Sequence, residues 1–115
     1  MTTERPAIAH PLPDELVELI AGRFRALGDP TRIRLVEQLR EGEATVGELT
    51  DVTGTTAQNA SKHLLLLLHA GIVARRRDGN FVRYRIADPA VLELCEIVCG
   101  SLRREVAELA NAISE

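Results

Sequence analysis

The chain has 115 residues, room for one domain and not for two. Hydrophobic residues make up 45%, enough for one compact core, but the aromatics are only Phe24, Phe81 and Tyr84, so that core must be built from Leu, Val, Ile and Ala. The formal net charge of −3 argues on its face against a nucleic-acid partner, since such domains are often basic. No apolar run approaches the ~20 residues of a membrane span, and two cysteines without an export signal point to a reducing cytoplasm.

Residues 1–13 carry Pro6, Pro11 and Pro13 and read as a flexible N-terminal arm, with residues 14–112 as one domain. Asp14 is expected to cap a helix running to about Leu27, with Leu16, Val17, Leu19, Ile20, Phe24 and Leu27 on its apolar side. Gly28 ends it. Asp29-Pro30 then opens a second helix, Asp as N-cap and Pro at the first helical position. Ile33, Leu35, Val36 and Leu39 suit that helix, and Gly42 closes it. Thr45-Val46-Gly47-Glu48 fits a capping box, and the helix it opens is short because Gly54 follows soon after. Thr56 can cap a further helix from Ala57 to about Ala70, stopped by Gly71. Two short helices across a tight Gly-containing turn make a helix-turn-helix. From Ile72 to Ala87 the pattern changes period: Asp78-Gly79-Asn80 reads as a hairpin turn between two strands. In the second strand Val82, Tyr84 and Ile86 share one face, and Phe81, Arg83 and Arg85 the other. Asp88-Pro89 repeats the cap-plus-proline start for a last helix to about Ala112. The order is α-α-α-α-β-β-α, mainly α with a β-hairpin wing.

This order and its local sequences resemble the ArsR/SmtB family of winged helix-turn-helix repressors. Ala26-Leu27-Gly28-Asp29-Pro30-Thr31-Arg32 is similar to the family's second-helix opening, and Ser61-Lys62-His63-Leu64 to its recognition-helix signature. Arg76-Arg77-Asp78-Gly79 and Tyr84-Arg85-Ile86 are similar to its wing strands. The resemblance implies a homodimer paired through the first and last helices, bound to an imperfect palindrome in promoter DNA. It also implies an inducer that lowers DNA affinity.

The residues make their own case for DNA. From Ala57 to Ala70, Ala60, Leu64, Leu67 and Leu68 fall on one side and would be core. Gln58 and Lys62 fall opposite, flanked by Asn59 and Ser61: short polar groups for base edges and one cation for a phosphate. An ordinary solvated helix face would look the same in isolation. Thr56 can both cap the helix and touch a phosphate. His63 is a candidate by position, though packing against the neighbouring helix explains it better, and His69 suits the helix C-terminus. The family often carries a base-reading Gln at the position of Ala57. Here the nearby Gln is Gln58, on a different side of the helix, so operator preference is expected to differ. The wing adds Arg75, Arg76, Arg77, Arg83 and Arg85, with Gly79 and Asn80 as a tip small enough to enter or skirt a minor groove. Protection of a strand edge also favours such cations.

The family's metal sites do not carry over. A Cys-x-Cys in the third helix would fall on Thr45 and Gly47. The last-helix set of Asp, His, His and His or Glu would fall on Asp88, Ala90, Ser101 and Arg104, of which only Asp88 matches. What remains is Cys95 and Cys99, four apart on one helix face. They could bind a thiophilic ion as inducer, with further ligands from the partner chain or the arm. They could act as a redox pair, or pack as small apolar residues on the stripe of Leu92, Leu102, Val106, Leu109 and Ile113. His10 with nearby carboxylates would suit a harder ion such as nickel, but a lone exposed His explains it better.

The expected function is therefore a cytoplasmic, dimeric DNA-binding repressor, released by a metal ion or other small inducer. The alternatives are a DNA-binding subunit whose sensor lies in a partner protein, and a thiol redox-responsive regulator. An enzyme is not expected, because the three histidines lie far apart and no Gly-rich phosphate loop is present. The net charge also divides: residues 57–87 hold Lys62 and five Arg against Asp78 alone, while the rest hold eight basic and sixteen acidic residues. A basic reading head on an acidic body suits a DNA partner after all.

Overall fold

A computed structural model describes residues 10–114; residues 1–9, most of the expected arm, lie outside the described residues. Five helices and a small sheet follow in the order α1 (Asp14–Leu27), α2 (Pro30–Leu39), β1 (Ala44–Thr45), α3 (Val46–Thr53), α4 (Ala57–His69), β2 (Val73–Asp78), β3 (Phe81–Ile86) and α5 (Pro89–Ser114). No helix among these residues is long and apolar enough to cross a membrane.

The expected start and stop signals act nearly as read. The Asp29 carboxylate accepts from the Arg32 backbone N–H at the start of α2. Thr45 and Glu48 close a reciprocal capping box on α3. The Thr56 hydroxyl accepts from the Asn59 N–H at the start of α4. Gly54 ends α3 in the left-handed region, with φ of 75°, a conformation that costs glycine nothing. Asp88 caps α5 by accepting from the Ala90 N–H. Asp14 departs from expectation: it is the first residue of α1, not its cap, and Pro13 stands at the N-cap with no side-chain bond. Its charge still suits the first turn.

The core gathers Leu35, Val36 and Leu39 of α2, Leu49 of α3, Leu64 and Leu67 of α4, Ile72 and Val73 at the start of the wing, and Tyr84 of β3. Helical spacing on three short helices thus converges on one apolar centre. Two parts of the chain give it little. Leu27 is the only buried residue of α1 and Val91 the only one of α5, although α5 is 26 residues long. Val17, Leu19, Ile20 and Phe24 of α1 are exposed, as are Leu102, Val106, Leu109 and Ile113 of α5. The apolar stripes read in the sequence exist, but among the described residues much of each is left uncovered.

The sheet has three strands in the order β1-β3-β2, all antiparallel. β1 was not expected. It is two residues long, pairing Ala44 with Tyr84 and Thr45 with Arg83, and so ties the root of the wing to the segment that opens α3. The hairpin register sets Arg75 opposite Tyr84, Arg76 opposite Arg83, Arg77 opposite Val82 and Asp78 opposite Phe81.

Candidate nucleic-acid interface

α4 divides as its sequence suggests. Ala60, Leu64 and Leu67 are buried and Leu68 half-buried, while Gln58, Ser61 and Lys62 are exposed. Ala57 is exposed beside them. Asn59 is half-buried and its Nδ2 donates to the Thr55 hydroxyl at 2.7 Å, so one of its donors is already used. Thr56 is exposed at the N-terminus of α4, where backbone N–H groups favour an anion.

His63 does not join the exposed face. Its side chain is 14% exposed and lies 3.8 Å from the Asp29 carboxylate, with Arg32 Nη1 3.0 Å from its Nδ1. A guanidinium only donates, so in a hydrogen bond between the two Nδ1 is the acceptor. The same Arg32 donates through Nε to the Ala26 carbonyl at 2.6 Å and through Nη2 to that of Arg25. One side chain therefore ties the end of α1, the start of α2 and the middle of α4 together. The sequence showed Arg32 only as part of a motif; its role depends on groups distant in the chain. Bonding between Arg32 and its cap holds the Asp29 carboxyl below its ordinary value, the Arg32 backbone N–H being the main cause.

The five wing arginines fall into two sets. Arg76 makes a bidentate pair with Glu43, at 2.7 Å from Nη2 and 2.9 Å from Nε. Arg83 bonds Asp78 at 2.7 Å and lies 3.5 Å from Glu48. These contacts hold the carboxyls of Glu43 and Asp78 below their ordinary values, each chiefly through its arginine hydrogen bond. Arg75, Arg77 and Arg85 are exposed and, among the described residues, have no hydrogen bond or ion pair; the same holds for Lys62. Glu43 and Glu48, the two acids that partner the wing from outside it, were missed in the sequence because only β1 brings them alongside. The hairpin turns at Gly79, φ 62°, with open space around it.

The candidate sensor residues lie apart from this surface. Cys95 is half-buried and Cys99 exposed, both free thiols. They line an apolar groove between the end of α1 and the middle of α5, together with Phe24, Val98, Leu102 and Val106. Burial pushes the Cys95 thiol up. No group of three or more His, Cys, Asp or Glu suited to an ion occurs among the described residues. Asp88, the one match to the family's last-helix ligands, is paired with Arg23 of α1 and caps α5. His10 and His69 are exposed.

Comparison with known proteins places these features. A helix-turn-helix domain family matches residues 27–76, from the end of α1 into β2. The chain is 41% identical over 104 residues to Rv0081 of Mycobacterium tuberculosis, an uncharacterised helix-turn-helix type transcriptional regulator, covering 89% of this chain and 90% of that protein. The crystal structure of Rv0081 matches with a TM-score of 0.73 at 39% identity, over 84% of this chain and 97% of that one. The solution structure of the homodimeric winged helix-turn-helix DNA-binding domain of Mb0332 from Mycobacterium bovis, a possible ArsR-family regulator, matches with a TM-score of 0.75 at 27% identity, over 87% and 95% of the two chains. A probable mercury resistance operon repressor of Streptomyces lividans is 42% identical over 71 residues, 62% of this chain and 57% of that protein.

Proposed function

The chain belongs to the ArsR/SmtB family of winged helix-turn-helix transcriptional regulators, and from that premise we propose that it is a repressor that reads a promoter palindrome with α4 and the β2–β3 wing and lets go when an inducer reaches the α1–α5 side. It is a homodimeric binder of double-stranded DNA and not an enzyme. The observation that carries the reading is the pairing of two surfaces: the polar, unpartnered face of α4 beside a hairpin whose Arg75 and Arg77 are free of acids among the described residues and whose Arg85 bonds none.

In this reading Gln58 and Ser61 address base edges, Lys62 and the Thr56 end of α4 take phosphates, and Arg75 and Arg77 follow the backbone beside the wing. Asn59 serves the α4 start and His63 its placement, through Thr55 and Arg32. Arg76 and Arg83 contribute less charge than the sequence implies, because Glu43 and Asp78 already hold them. Two copies joined by the bare stripes of α1 and α5 set two α4 helices about one DNA turn apart. An inducer that favours a different α1–α5 geometry by ~1–3 kcal/mol changes occupancy of the promoter several-fold or more.

For the inducer, Cys95 and Cys99 are the proposed ligands of a thiophilic ion, and the mercury-resistance name of one relative supports that class. Two thiols in one chain are too few for a four-coordinate site, so the remaining ligands would come from the partner chain or the N-terminal arm. Burial raises the Cys95 thiol and so disfavours the thiolate that an ion and a redox pair both require, which leaves the choice between them to the titration. Titrating the reduced protein on the DNA upstream of its own coding sequence with a panel of thiophilic ions tests this. Release by such an ion, abolished in the Cys95→Ser, Cys99→Ser double variant with basal DNA binding retained, is the expected result. Tight DNA binding indifferent to every ion and oxidant moves the sensor to a partner protein.

A further inference from the structure

α4 is seated by its buried Ala60, Leu64 and Leu67. Apolar burial is non-directional, so it fixes how deep the helix sits more firmly than how it is turned about its axis. Among the described residues His63 is the only side chain of α4 that hydrogen-bonds to another helix; Thr56 and Asn59 bond locally. Its partner, Arg32, is itself held. The Arg32 backbone N–H is fixed by the Asp29 cap. Its Nε donates to the Ala26 carbonyl at 2.6 Å and its Nη2 to that of Arg25 at 3.4 Å. A planar guanidinium fork anchored to the end of α1 and the start of α2 thus presents Nη1 to His63 Nδ1 at 3.0 Å.

His63 follows Lys62 directly, and Gln58 and Ser61 lie within the one and a half turns before it. Side-chain tips stand about 5–6 Å from a helix axis, so turning α4 by about 10° would carry Gln58 and Ser61 about 1 Å. A hydrogen bond to a base edge tolerates only about 0.5 Å. The pull of phosphates on Lys62, Arg75 and Arg77 reaches over a screening length of about 8–10 Å. A turned helix therefore loses sequence reading while keeping its general attraction to DNA.

We infer that Arg32 is a positioning residue for sequence discrimination: through His63 it sets the rotation of α4, and so whether Gln58 and Ser61 meet base edges. This rests on the promoter-reading role of α4 proposed above and adds to it a residue that touches no DNA itself.

The test uses two labelled duplexes of equal length, one from upstream of the chain's own coding sequence and one of mixed sequence, with binding followed by anisotropy at matched salt. The readouts are the ratio of the two affinities and the salt slope on the mixed duplex. His63→Leu lowers the ratio about tenfold, the worth of about one base pair's discrimination, and leaves mixed-sequence affinity and slope unchanged. His63→Asn, whose Oδ1 stands where Nδ1 stood, restores most of the ratio. Arg32→Gln gives the same loss as His63→Leu, and reads the effect alone where the leucine variant does not fold. The two changes together lose no more than either one, because they break one link. An unchanged ratio in a folded variant overturns the inference, as does an equal loss on both duplexes, the mark of a weakened fold. Losses that add, or an asparagine variant as poor as leucine, overturn the hydrogen-bonded link. A parent protein that binds both duplexes alike overturns the promoter reading itself, a separate result.

Discussion

Arg76 and Arg83 differ from Arg75, Arg77 and Arg85 in what each can give to DNA, because the first two already hold an acid. Each phosphate neutralised adds about 0.9 to the salt slope of binding. The Arg75→Ala, Arg77→Ala pair should therefore lower the slope by up to about 1.8, measured as log affinity against log salt with the dimer checked by sedimentation. An unchanged slope would remove both from the backbone. Glu43→Gln should act in the opposite direction. It frees Arg76, so binding tightens and the slope steepens by up to about 0.9. A variant that binds no better would show that Arg76 faces away from DNA with or without its partner. The sequence displayed all five arginines equally, because Glu43 comes beside Arg76 only through the fold, 33 positions away in the chain.

At the level of elements, the capping chemistry was legible and the sheet was not. Thr45 with Glu48, Asp29 with Pro30, and Thr56 are signals written within four residues, and local hydrogen bonds execute them. β1 is only Ala44–Thr45, too short to show any alternation, and its pairing with β3 depends on contacts far apart in sequence. Thr56→Ala should cost about 1 kcal/mol of folding stability, seen as a lower melting temperature, and Thr56→Ser should restore it. Glu48 gives the capping box a pH signature. Its carboxyl is held below the ordinary value of 4.5, mainly by the Thr45 backbone N–H, then by the Thr45 side chain, with Arg83 adding a smaller pull. A carboxylate whose folded value is lowered stabilises the fold fully above about 4.5 and loses that contribution as pH falls through the lowered value. Stability should thus decline on acidification below that point, less steeply in Glu48→Gln. Parallel pH profiles of parent and variant would refute the assignment.

For the whole molecule, the bare stripes of α1 and α5 make one chain an incomplete object. Cys95, Cys99, Leu102, Val106, Leu109 and Ile113 alternate in steps of four and three, the spacing of a helix–helix seam, and among the described residues all but Cys95 are exposed. The periodicity was readable in the sequence; which part faced the core and which a second copy was not, since both are apolar. The melting temperature should rise with protein concentration. Leu102→Asp with Val106→Asp should yield monomers by sedimentation and weaken binding to a two-half-site promoter by about a hundredfold or more, through lost avidity. A dimer that survives both charges would place the interface elsewhere. The charge division read from the sequence also needs adjusting at this scale: Glu43 and Glu48 lean onto the wing, so the head is less basic than residues 57–87 alone suggest, and its free charge concentrates on Lys62, Arg75 and Arg77, with Arg85 in the field of Glu43.

Lys62 is also the chain's single lysine, exposed on the outer face of α4. The molecule therefore offers just one side-chain amine to acylating reagents, and that amine stands on its reading helix. A mild anhydride would label this position and erase its charge while leaving all thirteen guanidinium groups unaltered. Bound DNA would shield it, which turns the rate of one acylation into a footprint of the occupied surface.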